Sequence, residues 1–241
     1  MSDPFLSVVI PAYNEAERLP RTLCRLAAFL RDFGRGHEVV VVDDGSRDAT
    51  AEKAREAGAV VLRNERNRGK GHAVRRGMLQ ARGERLLMTD ADLSTPIEEL
   101  PRLLQKIEEG WDVVIGSRAL PGSRIEVHQA WFRENMGRLY NVFVRALALP
   151  GLRDTQCGFK LWTAAAARAA FSAARLHGFS FDVEALYLAR KRGYRIAEIP
   201  VTWRNDAATR VGLRGGSVAF PDLLKIRLYD WTGRYDAGKS L

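Results

Sequence analysis

The first half of the chain alternates between two periods. Continuous apolar runs rich in β-branched residues occur at Leu6 to Ile10, Glu38 to Val42, Ala59 to Leu62, Arg85 to Thr89 and Val113 to Gly116. Runs of this length predict strands that are apolar on both faces. Between them the spacing predicts helices over about Ala16 to Phe33, Ala49 to Ala57, Gly71 to Ala81 and Pro96 to Glu109. Pro20 is tolerable only near the start of the first of these. Thr95-Pro96-Ile97-Glu98 reads as a capping box with proline at the first helical position. Strands of this kind alternating with helices predict an α/β chain with a parallel central sheet covered on both faces. In such sheets ligands gather at the carboxyl ends of the strands.

From about residue 117 the rhythm changes. Arg118 to Arg153 holds six arginines and two glutamates, which is +4 of the formal net charge of +9. Inside it Phe132, Met136, Leu139, Tyr140, Phe143 and Leu147 recur at helical spacing. Two readings of this segment, 131–147, stay open. It packs on the core, or it lies in a membrane interface with Arg133, Arg138 and Arg145 beside it. A compact motif follows, then a helix near Asp182 to Lys191, a strand near Arg195 to Val201, and a tail. No repeat, low-complexity stretch or linker divides the chain, so one domain over 1–241 is expected.

Hydrophobic residues at 46% and charged residues at 28% exclude a disordered tail, a fibrous protein and a small disulfide-stapled scaffold. The positive balance raises nucleic acid as a partner, but the arginines are scattered and form no known binding module. Cys24 and Cys157 fit no metal-ligand spacing and point to a reducing compartment. No window of about 18 apolar residues is present, so no membrane-spanning helix is expected. Met1-Ser2-Asp3-Pro4 runs almost directly into a strand, so no signal peptide and a cytoplasmic location are expected. His37, His72, His128 and His177 form no ligand set. Gly233 to Ser240 matches the phosphate-loop pattern GxxxxGK[ST], but the required strand before it and helix after it are missing.

The chemistry concentrates just after the strands. Pro11-Ala12-Tyr13-Asn14-Glu15 offers a ring to stack on a base and groups to hydrogen-bond it, or is a simple strand-to-helix turn. Asp43 and Asp44 are adjacent carboxylates, whose repulsion is relieved by hydrogen bonds, a metal or a ribose. Ser46 and Asp48 read as helix caps. Asn67-Arg68-Gly69-Lys70-Gly71 opens a helix with glycines that admit close backbone approach and a lysine that favours anions. Asp90 and Asp92, two apart on an extended segment, can reach one hard cation, and that cation can also grip a diphosphate.

The set SVVIPAYNE, VVVVDDGS, NRGKG and DAD resembles the family 2 inverting glycosyltransferases of the GT-A fold. Asp154 to Lys160 (DTQCGFK), Phe181 to Glu184 (FDVE) and Asp222 to Arg227 (DLLKIR) resemble the polyprenyl-phosphate branch, above all dolichyl-phosphate β-glucosyltransferases. The resemblance runs from about Leu6 to Tyr229. It implies a nucleotide-sugar half over about 1–116 and an acceptor half over about 117–241. By similarity Pro11, Tyr13, Glu15 and Asp43 line the nucleotide pocket, Asp44 lies near the ribose or base, and Lys70 near the donor. Asp90 and Asp92 hold Mg²⁺ or Mn²⁺ against the UDP diphosphate, which places Asp92 among the catalytic residues.

A polyprenyl phosphate is already an anionic nucleophile and needs positioning more than a base. Arg118 and Arg133 are the guanidinium candidates for its phosphate, and Lys160 joins them. Asp154 and Lys160 are expected to border the sugar or diphosphate. Asp182 and Glu184 sit where the wider family carries a base, and which of the two would act stays open. The expected partners are UDP-glucose, a polyprenyl phosphate and a membrane surface or membrane-anchored protein. Four other readings remain: a GDP-mannose donor, a sugar hydroxyl as acceptor, a sugar nucleotidyltransferase, and a nucleotide-sugar-binding protein without turnover.

Overall fold

Seven consecutive residues, Leu6–Ala12, form β1, and every one is buried. Burial on both faces follows from the alternation of strand side chains. Val9 belongs to one core with Ala73, Val74 and Met78. Val8 and Ile10 point the other way, into a core with Leu19, Leu23 and Leu26. The computed structural model describes residues 3–127, 131–204 and 219–236, and of 131–135, 138 and 219 it describes the backbone alone.

The elements after β1 run α1 (Leu19–Arg31), β2 (His37–Asp43), α2 (Thr50–Glu56), β3 (Val60–Arg63), α3 (Lys70–Gln80) and β4 (Arg85–Met88). Then come α4 (Leu100–Glu108), β5 (Val113–Ser117), β6 (Arg124–Val127), α5 (Trp131–Leu147), β7 (Lys160–Thr163), α6 (Ala164–Ala173) and α7 (Phe181–Lys191). Finally β8 (Ile196–Pro200), β9 (Thr202–Arg204) and α8 (Ala219–Trp231) follow. The main sheet has seven strands in the order β3-β2-β1-β4-β7-β5-β8, and β6 pairs with β9 apart from it. β7 alone is antiparallel to its neighbours, so the other six strands point one way and end on one edge. Because β7 runs backwards, Lys160 enters at that same edge, in register with Met88 and Ile115.

Three local expectations change. The capping box at Thr95 does not form. The Thr95 hydroxyl faces Cys157 Sγ at 3.7 Å, a 3₁₀ turn covers Ile97–Glu99, and α4 starts at Leu100 with a proline in its first turn. Asp90 and Asp92 do not extend β4, which stops at Met88. The stretch read as a tail contains α8, and the alanine-rich α6 carries too little polar contrast to show a period. Gly233 therefore follows a helix rather than a strand, and residues 237–240 of the phosphate-loop pattern lie outside the described residues.

α3 lies close on the sheet because Gly77 has no side chain. A Cβ there would stand 2.4 Å from Val9 Cγ1 and 2.8 Å from Val42 Cγ2. Gly77→Ala is expected to destabilise the chain by about 1–3 kcal/mol through overpacking. Gly137→Ala on α5, where a Cβ meets nothing within 4 Å, is expected to be neutral or to stabilise by up to ~1 kcal/mol. Urea unfolding followed by circular dichroism measures both.

Candidate active site

The β1 and β2 ends are tied into one platform. Asn14 adopts a left-handed conformation, its N–H donates to Ser46 Oγ (2.9 Å) and its Oδ1 accepts from Arg47 N (2.9 Å). Glu15 N donates to Thr50 Oγ1 at 2.8 Å, and its carboxylate pairs with Arg18 at 2.6 Å. Ser46 and Asp48 thus brace the Asn14–Ala16 turn, and Asp48 Oδ1 also accepts from Thr50 N (3.1 Å) at the start of α2, as a cap would. Pro11 is buried and Tyr13 exposed at this edge.

The adjacent acids diverge. Asp44 accepts from Arg68 N, Gly69 N (2.8 Å) and Asn64 Nδ2 (2.6 Å). Its carboxylate orders the glycine loop. Asp43 Oδ1 accepts from Ser46 N at 2.9 Å. Asp43 Oδ2 is buried without a hydrogen bond, although Arg63 Nε approaches to 3.2 Å. That oxygen is a buried acceptor without a hydrogen bond and is able to accept from a ligand.

Beyond β4, Asp90 to Leu93 make a tight turn. Leu93 N donates to Asp90 O (3.1 Å) with Leu93 left-handed, Thr22 Oγ1 donates to Ala91 O (2.6 Å), and Ser94 N donates to Asp92 Oδ1 (2.9 Å). The two carboxylates thus sit on a turn rather than on one face of a strand. Lys70 Nζ lies 2.6 Å from Asp90 Oδ1. Burial would lower the Lys70 pKa, yet Asp90, Asp182 and Asp92 hold it above the ordinary lysine range. Gly158 explains part of the DTQCGFK motif, since a Cβ there would fall 1.9 Å from Asp90 Oδ2.

Lys160 is 1% exposed and its ammonium is taken by Asp182 (2.6 Å) and Cys157 O (2.5 Å). It positions Asp182 and does not present itself to an acceptor phosphate. Burial pushes the Asp182 carboxyl up, against the pull of Lys160 and Lys70. Glu184 is fully buried and accepts from Arg175 N, Leu176 N and the Tyr235 hydroxyl. Its role is structural, which removes it as a base.

At the end of β5, Arg118 and Asp154 form a bidentate pair of 2.7 and 2.9 Å, and Arg118 N also donates to Asp154. Asp154 is 2% exposed, holds Arg118, and still contributes to the lining of the cleft that Arg118 borders. Although burial disfavours both charges, each partner holds the other ionised. The guanidinium lies over Trp203 at 5.4 Å and borders a cleft of about 770 Å³. Arg145, Arg153, Asn141 and Gln156 also line this cleft. Of these only Arg145 stood out by charge and spacing, and as a membrane contact. Arg133 lies on α5 with its side chain outside the described residues, and His128 lies outside them altogether.

The Asp90–Asp92 turn fits a divalent cation. An ammonium already stands on Asp90, and Asp92 lacks an equivalent partner, so burial and the Asp90 charge push its carboxyl up. Oxygen ligands suit Mg²⁺ or Mn²⁺. Among the described residues no three acids, histidines or cysteines form a cage. An ion here would need oxygens from a ligand as well.

The model for Glycosyl transferase family 2 matches residues 7–168. Dolichyl-phosphate beta-glucosyltransferase of Dictyostelium discoideum is 37% identical, over 92% of this chain and 74% of its own length. The protein of that name from Homo sapiens is 37% identical, over 95% of this chain and 77% of its own. Glucosyl-3-phosphoglycerate synthase from Mycobacterium tuberculosis, solved with Mn²⁺, uridine-diphosphate and glucosyl-3-phosphoglycerate, is similar with a TM-score of 0.69 at 19% identity, covering 92% of this chain and 80% of that one. The fold is the GT-A fold, its mostly parallel sheet flanked by helices as expected.

Since the folded chain binds the Asp92 proton more tightly than the unfolded chain, Asp92 favours folding most below the ordinary carboxylate pKa. That contribution falls as pH rises from the unfolded value through the raised folded one. Asp92→Asn is therefore expected to raise the melting temperature of the metal-free chain at pH 7. Mn²⁺ with UDP is expected to raise the melting temperature of the wild type further, and Asp92→Asn to abolish that rise. Calorimetric scans of both proteins, with and without those ligands, check this.

Proposed function

The chain belongs to glycosyl transferase family 2 and is a glycosyltransferase; we propose that it transfers glucose from UDP-glucose to a polyprenyl phosphate with inversion at the anomeric carbon. The observation that carries this reading is the position of Arg118. It is clasped by Asp154, borders the arginine-lined cleft, and feels the charge of Asp90. An anionic acceptor in that cleft would thus sit beside the donor turn.

In this reading 1–116 binds the donor and 117–241 the acceptor. Asp43 Oδ2 and the Tyr13 ring receive the base, and Lys70 faces the diphosphate. Asp90 and Asp92 would hold Mg²⁺ or Mn²⁺, which supplies Lewis-acid stabilisation of the leaving diphosphate. Arg118, with Arg145 and Arg153, holds the acceptor phosphate by charge-assisted hydrogen bonds. One phosphate oxygen attacks the anomeric carbon from the face opposite UDP, and no side chain need take a proton. Asp182, fixed by Lys160 beside Lys70, orients the sugar.

The α5 helix supports a membrane-bound acceptor. Tyr140 and Val144 face the core, whereas Met136, Leu139, Val142, Phe143 and Leu147 are exposed, most of them on the stripe beside it. α8 adds exposed Leu224, Leu228 and Trp231, and Arg227 lies over the Trp231 ring at 5.6 Å. No described helix is long and apolar enough to cross a membrane. We place this face on the cytoplasmic side of a membrane, with the cleft opening beside it through Val142 and Arg145.

Incubating the protein, Mn²⁺ and labelled UDP-glucose with polyprenyl phosphate in vesicles is expected to move label into the organic phase. Label from GDP-mannose is expected to stay in water, and organic-soluble mannose would reverse the donor assignment. Arg145→Ala is expected to raise the KM for the lipid roughly tenfold, the worth of one charged hydrogen bond, while UDP affinity stays unchanged. Leu139→Glu with Phe143→Glu is expected to abolish co-sedimentation with anionic vesicles and leave the melting temperature within a few degrees.

A further inference from the structure

Glu184 is buried and unused by the transfer, and a residue that satisfies it lies at the far end of the described chain. Tyr235, 3% exposed, donates its hydroxyl to Glu184 Oε1 at 2.8 Å. Glu184 Oε2 accepts from the N–H groups of Arg175 (2.9 Å) and Leu176 (2.8 Å). The Arg175 guanidinium returns the tie by donating to Arg234 O at 2.6 and 3.1 Å. The turn that carries Tyr235 is latched to α7, because Lys191 bonds both Asp230 (2.5 Å) and Asp236 (3.1 Å).

The loop so held leans directly on the start of α3. Gly71 N donates to His177 O at 2.8 Å. A Cβ on Gly69 would stand 2.4 Å from His177 O, and one on Gly71 would stand 2.7 Å from Leu176 O and 2.9 Å from Gly178 O. The two backbones touch with no slack, and Lys70 sits between those two glycines. A shift of the 175–178 loop must therefore move Lys70 relative to Asp90.

We propose that Tyr235 is a positioning residue for the donor site: through Glu184 and the 175–178 loop it holds the Gly69–Gly71 backbone that carries Lys70. This rests on the reading that Lys70 faces the donor diphosphate. Tyr235 lies well outside the stretch matched by the family model, which ends at residue 168. A segment that reads as a tail thus braces a site more than 140 residues before it, since Lys70 and Tyr235 are that far apart in the chain.

The test compares wild type, Tyr235→Phe and Arg175→Ala as full-length chains. Tyr235→Phe removes one oxygen, and Arg175 has an exposed side chain, so at least one variant remains folded. Titration with UDP in MnCl₂ is expected to show roughly three- to tenfold weaker binding for Tyr235→Phe, the part of one buried hydrogen bond to a carboxyl oxygen that reaches the loop. Arg175→Ala is expected to weaken it by about half that factor. At saturating donor kcat should stay within about twofold, because the reacting groups are untouched. Amide exchange should quicken in peptides covering 64–72 and 174–180.

A purely structural role would lower the melting temperature and leave UDP affinity alone. Folded variants with wild-type UDP affinity, or with unchanged exchange at 64–72, overturn the proposal while the donor reading stands. A wild-type protein that binds no UDP with Mn²⁺ overturns the donor reading and this inference with it.

Discussion

Carboxylates crowd the carboxyl edge of this sheet, and the site depends on how each is compensated. Asp182 is met by Lys160, Asp154 by Arg118, Asp90 by Lys70, and Asp44 by the N–H groups of the glycine loop. Removing an ion from water costs several kcal/mol unless a close partner offsets it. Without these pairings the acids would take up protons and the edge would lose its charge pattern. Asp92 is the exception: Ser94 and the more distant Lys70 offset its charge, but burial and the neighbouring Asp90 outweigh them. A cation at this turn would offset that imbalance.

The pairings also sort the acids by role. Those with a full-strength partner, Asp154 and Asp182, are themselves buried and act by fixing a cation or being fixed by one. Glycines supply the matching steric condition. Gly158 lets the β7 approach reach Asp90, and Gly69 and Gly71 let the 175–178 loop touch α3. Charge and backbone contact thus converge on the same few atoms around Lys70 and Asp90.

The second half of the chain reconciles two readings of α5 that its spacing leaves open. One stripe, through Tyr140 and Val144, fills the core, and a neighbouring stripe, through Leu139 and Phe143, stays exposed. The helix is apolar on more of its circumference than one core needs. Phe143 and Tyr140 both meet Phe220, so α8 extends the exposed face that α5 begins. The arginines between these stripes divide as well, Arg145 going to the cleft and Arg227 to Trp231.

Much of this molecule was legible in the order of its residues. Apolar runs such as Val39 to Val42 and the helical spacing between them carry their own periods, and those periods are local properties of the chain. Strand direction then brought the polar clusters after β1, β2 and β4 to one edge, and the motifs there led to the right family. The antiparallel β7 was not legible, because four residues, Lys160–Thr163, show no period that distinguishes direction. Nor were the roles of Asp44, Asp154, Lys160 and Glu184. Each depends on a partner in another segment, from Gly69 and Arg118 to Asp182 and Tyr235, and on how far both are buried. Sequence by itself decided which elements form and which charges are available. Only the tertiary structure decided which charges neutralise one another and which stay open to a ligand, because desolvation and Coulomb energy act through space and not along the chain.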